Sequence, residues 1–381
     1  MIKKEKKDCC GCTACQHICP VGCIEMVEDI EGFLYPEIDE EKCIHCHKCE
    51  TVCPIGNTEV ITDITETYVG YIKDEEIRRS SSSGGIFTVL AEWMIDQGGI
   101  VIGAAFDESF QVHHIAVETK EELEKLRGSK YVQSNLERIY IIVKQYLQHG
   151  KKVLFSGTAC QIGGLKKYLK NENIEQLYTV DVLCHGVPSR KVWRMYLKEM
   201  SEKYQSTISN INFRDKRNGW NHYSMLIQFD SKKEYCVHFF RDRFMKMFLG
   251  NLDLRPSCYD CQFKEFPRIS DITIGDSWGI EKNIHEMSDD KGVSVIIINS
   301  EKGQKLFKSL ESCCYLKSTD LDLVLPKSAE SRHSVNAHQH RQKYLEDIEQ
   351  SDFSKLYRYS HISIACRIMM LCKSIINNCG R

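Results

Sequence analysis

The sequence predicts a chain of α+β and α/β class, in which a small cysteine-rich domain precedes a larger mixed α/β domain. Three observations predict it. Ten of the 20 cysteines fall between Cys9 and Cys53, and none then appears until Cys160. Those early cysteines form a repeat: Cys9, Cys12, Cys15 and Cys19 recur 34 positions later as Cys43, Cys46, Cys49 and Cys53, and each copy ends in Cys-Pro. From Tyr68 onward, apolar strand-like runs alternate with helix-like runs, the pattern of a sheet flanked by helices.

Each element follows in order. Residues 24–27 and 33–35 read as two short strands around the turn signal Glu31-Gly32. The first boundary falls near 55–64. Strands are then expected at 68–73, 100–106, 153–155 and 177–183, and helices at 86–95, 120–126, 136–147, 160–169 and 192–203. From 211 the chain turns β-rich, with a hairpin of 223–229 and 235–240 and a further strand at 293–298. The tail from 353 mixes apolar and basic residues at roughly helical spacing. The expected units are 1–60, 66–150, 151–340 and a helical tail at 341–381.

Cys-x2-Cys-x2-Cys-x3-Cys-Pro is the bacterial ferredoxin run. Three thiolates on one tight loop suit three corners of a cubane, and the fourth cysteine reaches the other cluster. Cys9, Cys12, Cys15 and Cys53 are therefore assigned to one 4Fe-4S cluster, and Cys43, Cys46, Cys49 and Cys19 to a second. A pair of zinc knuckles or a disulfide knot is the alternative, and two complete copies at equal offset argue against it. Cys10 and Cys23 lie outside the run and read as small buried residues. Cys236, Cys313, Cys314, Cys366, Cys372 and Cys379 lack ligand spacing.

A second constellation follows. Cys160 stands between a strand and a helix in Ser-Gly-Thr-Ala-Cys-Gln (156–161), and Cys184 ends the strand of Leu-Cys-His-Gly-Val-Pro (183–188). Both positions lie at the carboxyl edge of a sheet, where open α/β folds bind ligands. Cys258 and Cys261 form a Cys-x2-Cys. Four cysteines from three segments suit a third cluster or a four-thiolate zinc site.

Composition sets limits. Lys and Arg number 51 against 53 Asp and Glu, so the chain lacks the basic field of a nucleic-acid binder. No run approaches the roughly 20 apolar residues of a membrane span. No apolar segment follows the basic start, so no secretory signal is expected. Cysteines at metal-ligand spacing, in clusters that oxygen damages, suit the cytoplasm of an anaerobe or facultative anaerobe.

The segments Ser82-Ser83-Gly84-Gly85-Ile86-Phe87, Gly128-Ser129-Lys130-Tyr131, Gly157-Thr158-Ala159-Cys160, Asp181 to Gly186 and Pro256 to Cys261, with Asp-Ile-Thr-Ile-Gly-Asp-Ser-Trp-Gly at 271–279, stand in an order that resembles one family. It is the coenzyme F420 hydrogenase/dehydrogenase beta-subunit family, over about residues 1–340, and most closely its bacterial members encoded with surface-polysaccharide genes. The resemblance implies that the large domain is a flavin-binding domain, holding FAD beside a 4Fe-4S cluster whose ligands are Cys160, Cys184, Cys258 and Cys261.

On that footing, the serine run ending in Ser83, Gly84 and Gly85 before a helix suits a flavin pyrophosphate; it also reads as an N-capped helix with a flexible entry. Gly157 and Thr158 join the cofactor set, with Gly128, Ser129, Lys130 and Tyr131. Lys130 suits negative charge on a flavin and Tyr131 suits stacking, although a surface-loop lysine reads equally well. His185 is a candidate proton relay. Arg214 and Lys216 suit an anionic substrate or simple solvation. His333, His338 and His340 read as surface residues. The expected activity is an iron–sulfur flavoprotein oxidoreductase that passes electrons from reduced ferredoxin, or a similar carrier, to a small-molecule substrate. Its alternatives are an F420-dependent subunit, an electron-transfer subunit docking a catalytic partner, and a zinc-stabilised scaffold. No nicotinamide fingerprint appears.

Overall fold

The computed structural model describes residues 5–56 and 66–361. The expected boundary at 55–64, the end of the tail, and Cys366, Cys372 and Cys379 lie wholly or partly outside the described residues.

Strands β1 (Ile24–Glu28) and β2 (Leu34–Ile38) form an antiparallel hairpin. Gly32 turns it at φ 89°, a left-handed conformation that a side chain resists. A Cβ there would also lie 2.4 Å from Cβ of Lys191. The hairpin tip thus seats directly on the large domain.

The main sheet has eight strands: β3 (Glu66–Ile72), β4 (Ile100–Phe106), β5 (Val112–Val117), β6 (Val153–Gly157), β7 (Leu177–Val182), β11 (Ile272–Asp276), β12 (Ser294–Ile298) and β13 (Cys314–Thr319). Their order is β13-β3-β12-β11-β7-β6-β4-β5. The centre, β4-β6-β7-β11, is parallel, and antiparallel strands complete both sides. The sequence explains this division. Ile100–Phe106, Val153–Gly157 and Ser294–Ile298 are near-continuous apolar runs, as strands covered on both faces must be. The edge strand β13 carries Lys317, Ser318 and Thr319 and is largely exposed. A separate antiparallel sheet joins β8 (Ile208–Asp215), β9 (Ser224–Phe229) and β10 (Glu234–His238) in the order β10-β9-β8.

Expected strands and helices recur within a few residues. The helix expected at 120–126 shrinks to Leu123–Leu126, because only Leu123 and Leu126 of that charged run are buried. Strands β5, β11 and β13 and the helix Arg243–Leu249 were not anticipated. The tail forms the short helix Phe353–Tyr357 and one 3-10 turn. No described helix is long and apolar enough to cross a membrane.

The small domain is not an appendage. Cys12, Ala14 and Cys15 pack into one apolar core with Tyr140, Ile162 and Leu165 of the large domain. The Tyr140 hydroxyl donates to the Gln161 carbonyl at 2.6 Å. Gly164 marks the closest approach. A Cβ there would lie 2.8 Å from Cβ of Cys12 and 2.9 Å from its Sγ. Gly164→Val should therefore overpack this seam and cost about 3 kcal/mol, the upper end for inserted methyl groups in a filled core. Anaerobic thermal melting should show the loss, and an unchanged melting temperature would refute the seam's tightness.

Candidate functional site

Among the described residues four cavities carry the candidate residues, and clusters of cysteines line three of them. One is lined by Cys9, Cys12, Cys15 and Cys53, together with Cys10. A second is lined by Cys19, Cys43, Cys46 and Cys49, together with Cys23. These are the two sets that the repeat predicted, with the fourth cysteine of each run crossing to the other set. The repeat extends to the backbone. Gly11 and His45, 34 positions apart, both have positive φ (70° and 53°), as do Thr13 and His47 (61° and 57°). Non-glycine residues adopt that conformation at a cost. The two loops thus share one backbone shape, and three cysteines of each line its small cavity. Cys10 and Cys23 are both buried.

The third cavity holds Cys160, Cys184, Cys258 and Cys261, with Cys10 as a fifth thiol. Cys160 opens the helix Ala159–Tyr168 after β6, and Cys184 follows β7. Cys258 and Cys261 come from the 3-10 turn Pro256–Asp260 and its end. Burial, then the neighbouring Cys160 and Cys261, push the Cys184 thiol up to about 12. Burial and Cys184 push Cys258 higher still. Four half-buried thiols that resist ionising together are a poor apolar core and a good donor set for a cationic metal centre. The residues fit a cluster.

The fourth cavity, of about 290 Å³, opens at the carboxyl ends of β4, β6, β7 and β11. Ser83, Gly85, Gly128, Ser129, Lys130, Tyr131, Gly157, Thr158 and His185 all line it. Gly84 does not. Its amide donates to Ser294 Oγ at 3.0 Å, and a Cβ there would meet the Gly70 carbonyl oxygen at 2.5 Å. It is a packing glycine that lets the serine loop lie on β3 and β12.

That loop is pinned from below. Buried Arg78 makes a two-pronged pair with Asp289 at 2.6 and 2.7 Å and donates to the Gly292 carbonyl. Ser82 Oγ accepts from the Ser129 amide at 2.6 Å, tying the loop to the 128–131 segment. Burial pushes Lys130 down to about 7, and its ammonium group donates to the carbonyls of Leu126, Arg127 and Gly128. Among the described residues no carboxylate pairs with it. A buried cation, two helix starts at Gly85 and Thr158, and a wall of glycine, alanine and serine fit an elongated anionic cofactor such as FAD.

Tyr131 stacks on Phe248 with ring centres 5.2 Å apart, and its hydroxyl accepts from Arg214 at 3.0 Å. Both ring nitrogens of His185 face acceptors, Asn251 Oδ1 at 2.7 Å and Glu330 Oε2 at 3.3 Å. Arg214 and Lys216 differ from their reading as substrate cations. Arg214 is buried in a two-pronged pair with Asp276, between the rings of Tyr223 and Trp278. Lys216 donates to the carbonyls of Arg78, Ser83 and Lys291. Both are consumed internally. His338 and His340 are half-buried against each other rather than on the open surface.

Sequence reasoning missed His114, which lines the large cavity from β5. Its Nε2–H donates to the Ser156 carbonyl at 3.0 Å, and Nδ1 accepts from Ser134 Oγ at 2.6 Å. Burial pushes it down to about 4. The unfolded chain therefore binds its proton near pH 6.5 while the folded chain does not, so stability falls as pH drops from 6.5 towards 4. Between pH 6.5 and 5 the loss should reach about 2 kcal/mol. His114→Gln should flatten this slope in anaerobic melting curves. An equally steep slope in the variant would assign the acid sensitivity elsewhere.

The two small cavities define the first part of the chain as an iron–sulfur module, and residues 8–57 match the 4Fe-4S dicluster domain model. Residues 67–139 and 150–323 match the N-terminal and C-terminal models of the coenzyme F420 hydrogenase/dehydrogenase beta subunit, and the chain belongs to that family. Among solved structures it is similar to a chain of the F420-reducing NiFe hydrogenase complex from Methanosarcina barkeri, with 18% identity and a TM-score of 0.48 over 78% of this chain and 91% of that one. No curated protein matches significantly.

Proposed function

We propose that the chain is an iron–sulfur flavoprotein oxidoreductase that moves single electrons between a protein carrier and a two-electron, small-molecule reaction. The observation that carries this reading is the continuity of the Cys9 cavity, the third cavity and the large one. Cys10 and Ile55 line both the Cys9 set and the third cavity. Thr158, Gln161, Cys184, Gly186 and Val187 line both the third cavity and the large one. Cys9, Cys12, Cys15 and Cys53, then Cys19, Cys43, Cys46 and Cys49, would each hold a 4Fe-4S cluster, and Cys160, Cys184, Cys258 and Cys261 a third. FAD, when bound, supplies two-electron chemistry that can be fed one electron at a time.

The chain's own residues do the rest. The serine loop and the amides after Gly85 and Thr158 hold negative charge. Lys130 adds a buried positive charge, and Tyr131 offers a ring face at the cavity wall. His185, bonded to Glu330 beside the cavity, is the proton-handling group. The donor would be reduced ferredoxin or a similar carrier in a reducing cytoplasm, and the substrate a small molecule or sugar-linked intermediate of polysaccharide synthesis. Family membership favours a second reading, with coenzyme F420 as the two-electron partner. Two anaerobic assays on FAD-loaded protein separate them, one offering reduced ferredoxin and one reduced F420, with bleaching of the visible cluster absorbance followed in each. Bleaching by ferredoxin supports the first reading; bleaching by F420 alone restores the second.

A further inference from the structure

The cysteine repeat makes the two sites of the small domain alike in sequence, but the fold makes them unlike in charge. Arg255 is fully buried, immediately before the turn that carries Cys258. Its Nε donates to the Cys9 carbonyl at 2.7 Å, and Nη2 to Cys9 Sγ at 3.5 Å and the Leu34 carbonyl at 3.0 Å. Nη1 donates to Gln133 Oε1 at 3.0 Å, and the guanidinium lies 4.3 Å from the Tyr35 ring centre. Gln133 in turn donates to the Cys10 carbonyl at 3.2 Å. Among the described residues no carboxylate pairs with Arg255. A guanidinium stays charged, and a charge taken out of water needs a counter-ion. Among the described residues, the one sulfur it hydrogen-bonds is Cys9 Sγ, a ligand candidate of the Cys9 set, while Cys10 and Cys258 act on it from farther off.

Among the described residues the Cys43 set has no such partner. Cys46 is exposed, and the cations near it, Lys48 and Lys42, are exposed and screened by water. Lys42 is moreover paired with Asp39 at 2.7 Å.

We infer that Arg255 is the buried counter-ion of the cluster at Cys9, Cys12, Cys15 and Cys53, and sets that inner cluster at a higher reduction potential than the outer one at Cys19, Cys43, Cys46 and Cys49. This rests on the reading that both sets hold 4Fe-4S clusters. Reduction adds one negative charge to a cluster already negative, and a positive charge touching a ligand sulfur favours it. Burial acts the other way, because water also stabilises the reduced form. A full charge within hydrogen-bond reach of a ligand sulfur, unscreened by solvent, outweighs the water dipoles that burial excludes, so it prevails. One electron then passes downhill from the reduced outer cluster, which is oxidised, to the inner cluster, which is reduced; no bond breaks and no proton moves. Arg255 is a positioning residue that makes the line run inward, towards the third cavity.

The test is an anaerobic redox titration followed by electron paramagnetic resonance on the full chain, with the signal lost in Cys46→Ala marking the outer cluster and the signal lost in Cys12→Ala the inner one. In the wild type the inner cluster should titrate at the higher potential. Arg255→Met should lower it by at least tenfold in the inter-cluster equilibrium constant, about 59 mV for one electron. Arg255→Lys, which keeps the charge, should retain most of the wild-type value. Two clusters with the outer one higher in the wild type, or an inner potential unmoved by Arg255→Met, would overturn the inference alone. Absence of any cluster signal in the wild type would overturn the cluster reading and the inference with it. If Arg255→Met does not fold, the wild-type order still decides.

Discussion

Cys258→Ala should remove about four irons per chain, the content of one cubane, while leaving the ferredoxin-type spectrum of the small domain intact. The reason is that Cys258 belongs to the third cavity alone, whereas the Cys9 and Cys43 sets draw their ligands from residues 9–53. The same change should stop electron passage between the small domain and the large cavity. The small domain should still bleach with dithionite, and bound FAD should no longer be reduced through it by a protein donor. Loss of iron with undiminished FAD reduction would remove the third site from the path. Iron content equal to the wild type would remove it from the account.

The second large effect is expected from Cys12→Ala and Cys46→Ala. Each should remove about four irons, because each deletes one ligand of one set. Their wider consequences should differ. Cys46 is exposed at the rim, so its loss should leave the inner cluster, the flavin and the fold as they are. Cys12 is buried against Gly164 and Tyr140 at the seam between the domains, so its loss should also lower the melting temperature. Iron analysis and melting under argon distinguish these outcomes. If neither variant loses iron, the assignment of the repeat fails.

Much of this was legible before any coordinates. The cysteine run dictates its own loop, and its crossing fourth ligand is a topological rule; the two cysteine-lined cavities follow it residue by residue. The central strands β4, β6 and β7 were legible because full burial demands continuous apolar runs, as in Ile100–Phe106, whereas β11 was not, because Thr273, Gly275 and Asp276 break its short run. Strand β5 was not, because His113 and His114 interrupt its pattern, and only the fold shows that His114 is buried and bonded to Ser134 and Ser156. Arg214 and Lys216 read as substrate cations because sequence shows charge without its partners. Asp276 stands 62 positions from Arg214, and the carbonyls that occupy Lys216 come from two distant segments, 78–83 and 291. Gly84 and Gly85 look alike in sequence, yet one packs on Gly70 and the other caps a helix at the cavity. The charge difference between the two small-domain sites was invisible for the same reason, since Arg255 lies 246 positions from Cys9.

The central claim is that one chain lines up three iron–sulfur sites with a flavin site. Metal and flavin analysis of protein purified and handled without oxygen tests it most directly. The account predicts about twelve irons, matching sulfide, no zinc, and one FAD released on heating per chain. Eight irons with zinc in the third site, or protein that neither contains nor takes up FAD, would contradict it.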